Sequence, residues 1–170
     1  VTKLYDDGKI GTSEQNLLIN TISKSLQIFN QIQVVSDPKK NLIVMASDAK
    51  SRLSSEAASA VYHSDGWKVS HLGDMSSSIN VLFDLDFQKL IGKIWKQKYG
   101  ILIIVVFSKT DEGLNFFADS INPIIEKSGK NMKLALCGKV SKKSKIHADL
   151  ISEKIEDILQ WSQTISQNLK

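Results

Sequence analysis

The sequence predicts an α/β protein, a doubly wound parallel sheet of about five strands preceded by a helical segment. Three features of the chain point there. From residue 41 onward, short apolar runs alternate with stretches whose apolar residues recur at helical spacing. Residues 101–107, Ile-Leu-Ile-Ile-Val-Val-Phe, form the most apolar run of the chain, the signature of a strand buried on both faces and so of the sheet centre. Residues 13–31 carry Leu18, Ile22, Leu26 and Phe29 at helical spacing, and a polar, proline-bearing stretch over 34–40 separates them from the rest.

The elements follow in order. A short segment over residues 2–7 ends at Gly8. Thr12 with Gln15 three residues on reads as a capping box opening the helix over 13–31. Together these make residues 1–36 a helical cap segment, a bundle left incomplete by its single long helix, and residues 41–170 the α/β domain. Leu42-Ile43-Val44-Met45-Ala46 is a first strand, and the Ala- and Ser-rich stretch 51–64 a helix ended by Asp65-Gly66. Residues 67–73 alternate as an outer strand does, and 87–98 carry Leu90, Ile91, Ile94 and Trp95 on one helical face. Beyond the central run come a helix over 111–128, a strand over 132–137, a short strand near 149–152 and a closing helix from 155 to about 167.

Composition limits the function classes. The chain has 170 residues, 42% hydrophobic and 24% charged, enough for one domain with its own core. No apolar run reaches the roughly 18 residues that span a bilayer, so no membrane role is expected. A single cysteine, Cys137, excludes an internal disulfide, and the expected compartment is the cytoplasm. The start at Val1 reads as a region excised from a longer protein or as a processed chain. Net charge is +4, unevenly placed: Lys139-Val140-Ser141-Lys142-Lys143-Ser144-Lys145 is basic throughout, either a solvated loop or an anion-binding surface.

Ligands of doubly wound sheets bind beyond the carboxyl ends of the strands, where strand order reverses. Those ends fall at residues 47–52, 73–78, 108–110 and 138–145. They supply hydroxyls and cations with few carboxylates, which equips the edge poorly for acid–base catalysis; no enzyme activity is expected. Ala46-Ser47-Asp48-Ala49-Lys50-Ser51 lacks the glycines of a phosphate loop. His63, His71 and His147 are too widely spaced for a metal site. Cys137 is read as a small buried residue, with a reactive thiol as the alternative, and Trp67, Trp95 and Trp161 as core or interface anchors.

The order of parts resembles the cobalamin (vitamin B12)-binding domain family, in which a helical cap precedes a flavodoxin-like (Rossmann-like) domain and the corrin sits over the strand ends. The resemblance spans nearly the whole chain and rests on the order and spacing of Asp48-Ala49-Lys50, of Gly66-Trp67-Lys68-Val69-Ser70-His71-Leu72-Gly73, of Ser108-Lys109-Thr110 and of Ala148-Asp149-Leu150-Ile151. The family's axial-ligand pattern is aspartate, any residue, histidine, any two, glycine; here it reads Asp48-Ala49-Lys50-Ser51-Arg52-Leu53, and the aspartate alone remains. Ser108 matches the family's third-strand serine, Thr110 replaces a leucine, and Cys137-Gly138 keeps one glycine of two. The cap is most similar to that of light-dependent transcription regulators, whose tryptophan, nine residues, glutamate-histidine pattern becomes Tyr5 and Gln15-Asn16.

The resemblance implies that cofactor-facing positions are Tyr5, Gln15, Asn16, Asp48, Lys50, Ser108, Thr110 and Gly138, with no metal ligand and no catalytic residue among them. Both cobalt-ligating histidines would be absent, so no cofactor is expected, or else cobalamin held base-on without a protein ligand. The function implied is a non-catalytic sensory or regulatory module working through protein contacts in light- or redox-dependent gene regulation. The alternative is a corrinoid-binding carrier for methyl transfer or mutase chemistry, and a haem-binding relative using His63, His71 or His147 is a third reading. Expected partners are a regulatory protein or fused sensor domain and a second copy of the chain. At the basic edge an acidic protein segment or an anionic ligand is expected. DNA is the weaker candidate there, because the basic run has no recognition helix and no interleaved aromatic.

Overall fold

A computed structural model describes residues 1–32, 34–78, 83–96, 99–141 and 146–167. Five parallel strands, β1 (Lys40–Ala46), β2 (Lys68–Asp74), β3 (Ile101–Phe107), β4 (Met132–Cys137) and β5 (Leu150–Ser152), form one sheet in the order β2-β1-β3-β4-β5. This is the flavodoxin-like α/β fold, with β3 central as its apolar sequence requires and the alternating β2 at an edge. Register is continuous between β1 and β3, from Lys40 opposite Ile101 to Ala46 opposite Phe107. It shifts between β1 and β2 after Val44, where Leu72 is passed over.

The strand period of two divides the core cleanly. Ile43, Met45, Leu102, Ile104 and Val106 face α4 (Phe83–Ile94) and α5 (Asp111–Ser128), packing on Phe87, Ile91, Leu114 and Phe117. Leu42, Val44, Ile103, Val105 and Phe107 face α3 (Arg52–Ser64) and α6 (Ile155–Gln167), packing on Tyr62, Trp67 and Ile158. Below the strand ends the Tyr62 hydroxyl lies 2.6 Å from Ser162 Oγ, tying α3 to α6. Burial of this phenol raises its pKa to about 12, so it stays neutral. Trp67 and Trp95 are buried core residues and Trp161 packs at the rim, as anchors should.

Before the sheet stand α1 (Thr2–Asp6) and α2 (Thr12–Asn30). The cap of α2 lies one residue earlier than the spacing of Thr12 and Gln15 implies. Gly11 is the N-cap and its N–H donates to Glu14 at 2.8 Å, because a carboxylate reaching back to the free amide is the stronger acceptor. The α4 helix starts at Phe83 and ends at Ile94, earlier at both ends than the expected 87–98, and a 3-10 turn over Ala49–Ser51 precedes α3. The stretch 34–40 is tied to the domain: Asp37 N–H donates to Gly66 O and Lys40 N–H to Asp37 O.

A cap helix before such a sheet is expected to pack across or beside the strand ends; α2 packs along α3, running the same way. Ser23 Oγ donates to Glu56 at 2.6 Å near the start of α3, and His63 near its end meets Ile32 O at 2.9 Å. At ~1.5 Å per residue, Ser23 lies roughly 16 Å along α2 but Glu56 only about 6 Å along α3, so the first turns of α2 overhang the strand-end edge. No residue of α2 is buried. Among the described residues no helix is long and apolar enough to cross a membrane.

Candidate functional site

The switch point of this sheet lies between β1 and β3, since β2 lies to one side of β1 and β3 to the other. There Asp48 works as a knot. Its Oδ1 accepts from Ser51 N–H at 2.9 Å, and its Oδ2 from Lys109 N–H at 2.9 Å and the hydroxyls of Ser51 and Ser47 at 3.0 and 3.1 Å. Burial alone would push this carboxyl up. The donors outweigh it, above all Lys109 N–H and the Ser51 and Ser47 hydroxyls, and hold Asp48 below the usual carboxylate range.

Ser47 Oγ also lies 2.6 Å from Ser108 Oγ, both residues being buried. Ser108 Oγ lies 2.8 Å from Thr110 O and accepts from Thr110 N–H at 3.1 Å. Thr110 caps α5, accepting from Gly113 N–H at 3.1 Å. A Cβ on Gly113 would come within 2.6 Å of both serine oxygens, and one on Gly138 within 2.4 Å of Ser108 O. Both glycines are therefore required by close approach.

Beside this knot, between the starts of α3 and α6, opens a cleft of about 420 Å³. Ser51, Ser54, Lys109, Cys137 and Lys139 line it, and Glu153, Lys154 and Glu156 form its far wall. Cys137 is buried, as read from the sequence, and that burial raises its thiol to about 11 with Lys109 opposing. Three lysines face two glutamates in this cleft, an edge less one-sidedly basic than the sequence run implies. Lys142, Lys143, Ser144 and Lys145 lie outside the described residues.

Of the sequence-derived site residues, Asp48, Ser108, Thr110 and Gly138 come together at the switch point. Lys50 is exposed on the 3-10 turn and does not line the cleft. Arg52 Nε is 2.8 Å from the buried Glu56. Tyr5 is exposed on α1, while Gln15, half-buried, and Asn16, exposed, sit on the overhanging turns of α2; among the described residues no hydrogen bond joins them to the strand ends. Sequence reading missed Ser54 and the β5–α6 wall, whose residues carry no pattern of their own.

The histidines are elsewhere. Ser55 Oγ donates to Arg52 O at 2.7 Å, so its contact of 3.0 Å with His71 is one in which Nε2–H donates to the serine. Ser55 is fully buried, and with its proton committed this pair is not a nucleophile and base. His63 lies against the end of α2, and none of the three histidines lines the cleft, which removes the haem reading's ligand from that place.

No protein-family model matches the chain, and no curated protein does. Among solved structures, the chain is similar to the monomethylamine corrinoid protein of Methanosarcina barkeri, with a TM-score of 0.63 at 13% identity over 97% of this chain and 76% of that one. At that identity the likeness is one of fold. The residues here do not fit a corrinoid ligated by the protein. If the resemblance to the cobalamin-binding family holds, Lys50 takes the place of the axial histidine. The β1–β3 seam is closed by the Ser47–Ser108 and Asp48–Lys109 hydrogen bonds. Among the described residues no three His, Cys, Asp or Glu side chains gather into a metal-holding group.

Proposed function

We propose that this chain is a non-catalytic regulatory module built on the architecture of corrinoid-binding proteins and working through protein contacts. One observation carries the reading: the acidic group at the switch point, Asp48, spends its acceptor capacity on its own loops. It has no proton to give and is too weak a base to take one at neutral pH. Control of gene expression by light or redox state is the setting that the resemblance of the helical cap gives.

The contact surface is α2, and its occupant is a second copy of the chain. Gln15, Ile19, Ser23, Leu26 and Asn30 form the stripe turned to α3 and are half-buried; beside it Leu18, Ile22, Ser25, Phe29 and Ile32 form a second stripe, exposed and uncharged. Glu14 and Lys24 are the charged residues of the whole helix. Antiparallel two-fold pairing sets Leu18 against Phe29 and Ile22 against Ser25 of the second copy, large beside small, with no buried charge.

The carrier reading is favoured by the corrinoid protein among the structural neighbours. Incubation with hydroxocobalamin in the dark, followed by gel filtration and a visible spectrum, tests the module reading. A colourless protein agrees with the module, as does retention with the cofactor's own base below cobalt. A stoichiometric complex with a histidine-ligated spectrum overturns it.

A further inference from the structure

The opposite edge of the sheet, where the strands begin, carries a second assembly. A hollow of about 310 Å³ is lined by Pro38, Asn41, Lys68, Lys93, Trp95, Lys96 and Tyr99, together with Ile94. Lys68 begins β2, and Lys93 and Lys96 arrive on the last turn of α4 and just beyond it. Lys39 and Lys40 approach along the start of β1, with Nζ 5.9 Å from the Tyr99 ring centre and 6.0 Å from the Trp67 ring centre respectively. Five cations thus stand along one edge, drawn from three stretches of the sequence, and three of them line the hollow.

This edge is built rigidly. Asn41, nine-tenths buried, holds Nδ2 at 3.2 to 3.3 Å from the carbonyls of Pro38, Tyr99 and Ile101, which share its two hydrogens. Gly100 has φ +71°, and a Cβ there would fall 2.1 Å from Lys39 O, so only glycine lets the two segments meet. Trp95 Nε1–H donates to Tyr99 O at 2.9 Å. These contacts fix the backbone at Lys39 and Tyr99, and the Tyr99 ring stays half exposed.

Among the described residues none of the five lysines has a carboxylate within 4.0 Å. The nearest acids in sequence turn elsewhere, Asp37 Oδ1 accepting from Lys39 N–H and Asp65 Oδ2 from Gln163, and neither reaches an ammonium of the five within 4.0 Å. The dipole of α4 accounts for Lys93 at its carboxyl end. It does not account for Lys40 and Lys68, which begin strands, or for Lys39 in the turn before β1. Like charges held together without a counter-charge repel one another unless an anion completes the surface. Five cations over two strand starts and a helix end exceed what one phosphate group can engage, so a polyanion fits better than a small ligand. An exposed aromatic ring in the middle of such a patch adds a face on which an unpaired base can stack.

We infer that this edge binds single-stranded nucleic acid, its phosphates on Lys39, Lys40, Lys68, Lys93 and Lys96 and a base on Tyr99. The surface lies at the other end of the strands from the cleft and does not depend on whether a corrinoid is bound.

The test is fluorescence anisotropy with a labelled 15-nucleotide single strand, a duplex of the same sequence and a sulfated polysaccharide. The single strand should bind most tightly, with affinity falling with salt at a log–log slope of about −2 to −3.5, as three to five released counterions would give. The K68E/K93E/K96E variant should weaken it at least tenfold, and Tyr99→Ala severalfold for the single strand alone. The K109E/K139E/K154E variant, reversing the other edge by the same charge, should leave binding near its original value; melting curves check that each variant is folded. Equal losses in both triple variants, a preference for duplex or polysaccharide, or no response to Tyr99→Ala would overturn the inference.

Discussion

Ser47 Oγ and Ser108 Oγ, 61 residues apart in the chain, stand 2.6 Å apart where β1 and β3 end. They mark the place where this sheet reverses its order, and the first helical turn of α5 presses against both: the Gly113 Cα hydrogen points at the two oxygens. A methyl group at Gly113 would have to push them apart. Gly113→Ala should lower stability by about 1–3 kcal/mol, the usual cost of overpacking, despite alanine's better helix propensity. Urea denaturation checks this. Adding Ser47→Ala and Ser108→Ala, which remove both oxygens, should recover part of the loss; a fully additive triple variant would contradict the packing account.

Asp48 should behave as a structural carboxylate. Asp48→Ala leaves the N–H groups of Ser51 and Lys109 and two hydroxyls without their acceptor, at a cost of roughly 2–4 kcal/mol. The pH dependence follows from the lowered pKa. The contribution is fully present above the ordinary value of 3.8 and is lost as pH falls through the lower folded value. The gap in urea midpoint between the wild-type protein and Asp48→Asn should therefore be wide at pH 7 and narrow progressively below about pH 3.8. A gap that grows on acidification would assign Asp48 the opposite shift.

The parts of this molecule that were legible in the sequence are those with a local pattern. The seven apolar residues from Ile101 announce a strand buried on both faces, and the alternation around Val69 announces an edge. What was illegible is what the topology assembles. Lys109 offers Asp48 its backbone N–H, which no side-chain motif can signal. The cations of the lower edge come from Lys39, Lys68 and Lys93, about 30 residues apart at each step, whereas the sequence draws the eye to the contiguous lysines after residue 138. The α2 cap is ambiguous because Thr12 with Gln15 and Gly11 with Glu14 both satisfy the spacing, and the charge on Glu14 decides.

Cys137 should be an unreactive thiol although it borders the cleft. With a pKa of about 11, only about 0.1% is thiolate at pH 8. Reaction with an aromatic disulfide reagent at pH 8 should then be at least ~100-fold slower in the folded protein than in urea, where the ordinary thiol pKa returns. The folded rate should climb with pH up to about 11. Prompt labelling at pH 7 would show that the thiol is neither buried nor raised.

The α2 stripe decides whether the chain is a module that pairs. Leu18 and Ile22 are 37% exposed, Phe29 45% and Ile32 54%, so each leaves a third to a half of a large apolar side chain in water. Covering the remainder is worth roughly 1 kcal/mol per side chain, and both copies gain it in a two-fold pair. Ordering costs are small, because Ser23–Glu56 and His63–Ile32 already hold α2 against α3. Sedimentation velocity at tens of micromolar should show a dimer that dissociates on dilution. Leu18→Glu with Phe29→Glu places four carboxylates across the two-fold axis and should give a monomer with unchanged helical circular dichroism. Two outcomes count against pairing through this face: a wild-type chain that stays monomeric at that concentration, or a double variant that still dimerises.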